Sequence, residues 1–133
     1  MSEEVLQAIE ESAEDMKDLL MEMLKYKAIG PDNSGTGENK KADYIMNVIE
    51  TFGFDEIKRY DAKDDRVPSG YRPNIMAVKE GTTDKNVVII SHIDIVPAGD
   101  LDEWETDPFE PVFKGGKIYG RGAEDNGQEL IAS

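Results

Sequence analysis

The stretch Val87-Val-Ile-Ile-Ser-His-Ile-Asp94 constrains this chain more than any other. Four consecutive β-branched residues carry no polar alternation. A strand built from them must be covered on both faces, as the strands of parallel sheets are. The pattern predicts a buried strand over Val87–Ser91, ending in His92, the only histidine of the chain. In open α/β sheets, ligand sites lie beyond the carboxyl ends of such strands. Asp94 follows with the strand parity of His92 and so points the same way. A second carboxylate, Asp125, sits in the glycine-flanked run Gly120-Arg-Gly-Ala-Glu-Asp-Asn-Gly127.

These residue types in this order are what a metal site requires. Imidazole binds divalent transition ions, and a neighbouring carboxylate fixes its tautomer and raises its basicity. A second carboxylate can bridge two ions, one oxygen to each. Ordinary readings stand beside these. His92 can be structural, Asp94 can shape a turn before Pro97, and Asp125 can cap a final helix. Catalytic zinc takes about three protein ligands and a water. With one histidine and no cysteine the chain offers too few. The remaining ligands and a general base are expected beyond residue 133 or on another chain.

Composition narrows the classes. Fifteen basic against 29 acidic residues give a net charge of -14, which repels nucleic acid and anionic membrane surfaces and attracts cations. Without cysteine there are no disulfides and no thiolate metal sites. No apolar run reaches the ~20 residues of a membrane span, and the acidic start is unlike a signal peptide. A soluble cytoplasmic protein is the default.

The rest of the chain reads as α/β. Val5, Ile9, Met16, Leu20 and Met23, widened by Leu6, Leu19 and Leu24, predict one amphipathic helix from Glu3 to Lys27, capped by Ser2 and stopped by Gly30-Pro31. A second helix is predicted over Glu38–Phe52, ended by Gly53. Strands are predicted at Phe54–Tyr60 and Asn74–Lys79, with a surface loop over Asp61–Tyr71 between them. Val112–Tyr119 predicts a hairpin turning at Gly115-Gly116. A helix is expected to begin after Asp125.

At these residues the sequence resembles the M20 family of metallopeptidases and amidohydrolases, which includes acetylornithine deacetylases, succinyl-diaminopimelate desuccinylases and several peptidases. The resemblance rests on Ser34-Gly-Thr-Gly-Glu38, Pro73-Asn-Ile75, Ser91-His-Ile-Asp-Ile-Val-Pro97, Trp104-Glu-Thr-Asp-Pro-Phe109 and Gly116-Lys-Ile-Tyr-Gly-Arg-Gly-Ala-Glu-Asp125. The last three, in that order and spacing, carry most of it. It implies a zinc-exopeptidase-like mixed sheet flanked by helices, truncated, with residues 1–133 forming the N-terminal portion of a metal-dependent catalytic domain. It implies that His92 ligates one zinc, that Asp94 is the catalytic residue orienting it, and that Asp125 bridges two zincs, with cobalt as a substitute. It implies a cis peptide at Asp125-Asn126, and a cleft shaped by Trp104 and Phe109 unless those two are plain core. The family's later Glu-Glu pair and final histidine have no counterpart here. The implied reaction is hydrolysis of an amide in an N-acyl amino acid or small peptide. The alternative is that these 133 residues are an inactive α/β piece that binds metal weakly or not at all. A homo-oligomer is expected, because an unpaired sheet edge invites pairing.

Overall fold

The computed structural model describes residues 2–133. It is an α/β arrangement of four helices and two small antiparallel sheets: α1 (Glu3–Glu11), α2 (Ala13–Met23), α3 (Asn39–Ile49), β1 (Glu56–Lys63), β2 (Tyr71–Val78), β3 (Val112–Lys114), β4 (Lys117–Tyr119) and α4 (Glu129–Ala132). No helix among the described residues is long and apolar enough to cross a membrane.

The expected first helix is two. It breaks at Ser12, whose hydroxyl donates back to the Ala8 carbonyl at 2.8 Å, a local bond that competes with helix continuation. The two halves differ in burial. Leu20, Met23 and Leu24 of the second half are buried, whereas Val5, Leu6 and Ile9 of the first are about half exposed. Ser2 occupies the cap position, but its side chain makes no capping bond. The core gathers on α2: Leu20, Met23 and Leu24 join Ile45 of α3, and Ile75, Ile93, Ile118, Ala123, Leu130 and Ile131 pack against them.

α3 stops at Ile49, short of the expected Phe52, and a turn follows in which Gly53 adopts φ +69. β1 and β2 pair from Glu56↔Val78 to Lys63↔Tyr71, so both strands run deeper into the expected loop than their composition suggested. Glu38, just ahead of α3, is 4% exposed and accepts two bonds from Arg72 of β2, tying helix to hairpin. β3 and β4 form the expected hairpin, turning through Gly115 and Gly116 at φ +61 and +77.

The expected strand at the apolar run fails as well. Val87–Ser91 is neither a paired strand nor buried: Val87, Val88, Ile89 and Ile90 are 64–91% exposed. The reason is topological. β1 and β2 pair with each other, and no third strand among the described residues lies beside 87–91. The only parallel pairing among the described residues is the bridge Ile29↔Ile95, where Ile95 N–H donates to the Ala28 carbonyl at 2.9 Å.

Candidate metal centre

Two anchored segments converge on the site. The first is the tail after the apolar run. Ile93 packs on the core, and Ile95, 4% exposed, is held by Ala28 and Ile29. The second is a wide turn over 123–128 that leads into α4. Gly122, at φ +85, opens it, and the Gly127 N–H donates to the Gly122 carbonyl at 2.9 Å to close it. Both glycines are needed for close approach. A Cβ on Gly122 would lie 2.6 Å from Ile95 Cγ2, and one on Gly127 would lie 2.8 Å from Leu20 Cδ1. The buried face of α2 thus supports the turn from below.

Asp125 and Asn126 depart from helical angles within this turn, and the peptide between them is cis, as the resemblance implied. Asp125 is therefore not a helix cap; Gln128 takes that position for α4. The Asn126 amide donates to Ser91 Oγ at 3.0 Å, stitching the turn to the tail.

The three candidate residues come together. His92 Nε2 lies 3.0 Å from Asp125 Oδ1. His92 Nδ1 lies 3.1 Å from the Asp94 carbonyl and 3.3 Å from Asp94 Oδ1. A proton on Nδ1 would serve Asp94 and would leave the Nε2 lone pair to a cation held between the ring and Asp125. The site opens into a cleft of about 660 Å³, lined also by Ser91, Glu124, Asn126 and Glu129.

The donors suit zinc or cobalt in kind: one imidazole and one carboxylate, both accessible. Their separation is also close to what one ion requires, since tetrahedral ligands at ~2.1 Å stand about 3.4 Å apart. The set is incomplete. No group of three or more His, Asp or Glu side chains among the described residues is placed to hold an ion. Sequence reasoning missed two contributors, Ser91 and Asn126. Neither side chain belongs to a ligand pattern, and only the fold brings them together.

Trp104 brackets the loop beside the site. Its indole N–H and Arg121 both donate to the Ala98 carbonyl, at 3.0 and 3.2 Å, and the guanidinium lies 5.4 Å from the ring centroid. Trp104 thus packs the loop; Phe109 instead carries the Lys27 ammonium, 4.5 Å from its ring centroid.

Residues 88–133 match Peptidase family M20/M25/M40. The chain is 39% identical over 119 residues to an uncharacterized metallohydrolase of Methanocaldococcus jannaschii, covering 84% of this chain and 28% of that protein. An uncharacterized metallohydrolase of Methanococcus maripaludis is 36% identical over 122 residues, covering 87% and 29%. A succinyl-diaminopimelate desuccinylase of Thiobacillus denitrificans is 36% identical over 107 residues, covering 80% and 24%. The chain spans about a quarter of the length of these relatives. Residues 88–133 thus carry the signature of Peptidase family M20/M25/M40, and the chain over most of its length is similar to these relatives.

Proposed function

We propose that this chain supplies part of the metal centre of a cytoplasmic hydrolase that cleaves the amide of an N-acyl amino acid or small peptide. One observation carries the reading: the 3.0 Å approach of His92 Nε2 to Asp125 Oδ1 at the mouth of a cleft. The relatives named as metallohydrolases and desuccinylases support it. In this reading His92 and Asp125 would be among the residues that hold zinc. The bound metal would supply polarisation of the substrate carbonyl and a water whose pKa is lowered toward ~7. The chain's own residues prepare the place. Asp94 accepts from His92 Nδ1 and fixes the ring, while Asn126 and Ser91 hold the turn so that the Asp125 carboxylate stays opposite Nε2. The general base and further ligands come from outside these residues.

A second reading concerns the 133 residues by themselves. The lack of a three-ligand group among the described residues and the exposed run Val87–Ile90 favour a chain that is inactive alone, binds metal weakly and self-associates. Cobalt and zinc titrations of the wild type, His92→Ala and Asp125→Asn test the first reading. We expect both substitutions to weaken uptake by roughly ten-fold or more; equal uptake by all three refutes it. An amidase assay of the chain on an N-succinyl amino acid should show no turnover. Zinc-dependent hydrolysis there would refute the assignment of the base to other residues.

A further inference from the structure

Asn126 is the only asparagine of the chain followed by glycine. That dipeptide carries a reaction of its own, which needs no enzyme and no co-reactant but water. The Gly127 amide nitrogen attacks the side-chain carbonyl carbon of Asn126, because glycine has no side chain to shield it. The new N–Cγ bond closes a succinimide, the Cγ–Nδ2 bond breaks, and ammonia leaves with the proton from the Gly127 nitrogen. Water then opens the ring. Opening at Cγ gives aspartate. Opening at the main-chain carbonyl gives isoaspartate, which lengthens the backbone by a carbon.

The fold keeps each participant from this reaction. The attacking N–H of Gly127 is donated to the Gly122 carbonyl at 2.9 Å. The departing amide of Asn126 is donated to Ser91 Oγ at 3.0 Å. The backbone between them is also turned the wrong way. Ring closure needs the Gly127 nitrogen eclipsed with Asn126 Cβ about the Cα–C bond. At the observed ψ of 43 it stands nearly anti to it. Gly127 has no room to swing round, because it is buried and a Cβ placed on it would lie 2.8 Å from Leu20 Cδ1 and 3.4 Å from Met23 Cε. Asn126 itself lines the cleft, so water reaches its side chain.

We infer that Asn126-Gly127 is a spontaneous modification site gated by the turn that Gly122 and Gly127 close. The folded turn locks it, and each opening of the turn exposes it to succinimide formation and loss of ammonia. Modification replaces the amide that stitches the turn to Ser91 with a carboxylate, and sets that carboxylate in the cleft beside Asp125. The site therefore keeps a covalent record of how often the turn has opened. The inference does not depend on what the cleft binds.

The test incubates the metal-free chain folded, and the same chain unfolded in urea, at one pH and temperature. Aspartate and isoaspartate at position 126 are counted together by peptide mass mapping. The folded chain should be modified at least roughly ten-fold more slowly than the unfolded one, because only locally opened molecules react. Ser91→Ala should speed the folded reaction by roughly two- to ten-fold, as the loss of one net hydrogen bond implies. Ser91→Thr, which keeps the hydroxyl, should restore the slow rate. Hydrogen exchange of the Gly127 amide in the wild type reads the same opening without any substitution, and its protection should match the slowing of modification. Equal rates in the folded and unfolded chains overturn the inference. So does a Gly127 amide that exchanges freely while Asn126 stays intact, or a folded Ser91→Ala chain that keeps the wild-type rate.

Discussion

Gly122→Ala is the substitution that most sharply tests how the site is assembled. Two costs apply. Gly122 has φ +85, and an L-residue held in that region loses roughly 1–2 kcal/mol. Its new methyl would also stand 2.6 Å from Ile95 Cγ2, and overpacking of that kind costs roughly 1–3 kcal/mol. The sum is about 2–5 kcal/mol against a typical domain stability of ~5–15 kcal/mol. Gly99→Ala is the matched control. Gly99 has φ +81, but a Cβ there meets nothing within 4 Å, so it carries the backbone cost alone. Urea unfolding followed by circular dichroism should show both midpoints falling with m unchanged, and Gly122→Ala falling further by roughly 1–3 kcal/mol. Gly122→Ala should also perturb the His92 ring signals, because Ile95 anchors the tail that carries His92; Gly99→Ala should not. Equal destabilisation by the two variants would refute the claim that Gly122 and Ile95 lock the two segments together.

Other consequences follow from single residues. Arg72→Met leaves Glu38 buried without its partner and should cost about 3 kcal/mol, the low end for breaking a buried pair; Glu38→Met added to it should recover much of the loss in the same urea assay. The pKa of Lys41 is about 8 when folded and 10.5 as a free side chain, so between those values the unfolded chain binds more protons and stability rises with pH. Below pH 8 the full penalty of burying the charge is present, on the order of 3 kcal/mol. Lys41→Met should therefore stabilise the chain at pH 7 and flatten the rise between pH 8 and 10.5; a rise that persists in the variant would contradict the burial of this amine. Val88→Lys, at a side chain 77% exposed, should change stability by no more than about 0.5 kcal/mol while reducing self-association in sedimentation velocity.

The sequence made some parts of this molecule readable because their physics is local. The β3–β4 hairpin follows from two glycines that accept positive φ, and the turn after α3 closes at Gly53, a third. His92, Asp94 and Asp125 were legible as a group because imidazole and carboxylates in glycine-flanked loops have few other shared purposes. What was not legible is tertiary. Periodicity continues across Ser12, so nothing in the apolar spacing marks the break between α1 and α2. The run Val87–Ile90 has every property of a covered strand, but burial depends on neighbours, and here the β1–β2 hairpin closes on itself. Nothing in the apolar spacing marks Glu38 and Lys41 as buried. Their burial arises from the packing of the α3 entry beside Gly30 and β2, which no pattern of 3.6 or 2 residues encodes.

The most direct test of the account follows His92 Nε2 and the Asp125 side-chain carboxyl carbon together by NMR while zinc is added to the chain. Both signals should shift with one common midpoint, and Asp125→Asn should weaken the His92 response by roughly ten-fold or more. Zinc that moves His92 alone, with the same midpoint in Asp125→Asn as in the wild type, would contradict the claim that these two side chains grip a cation jointly.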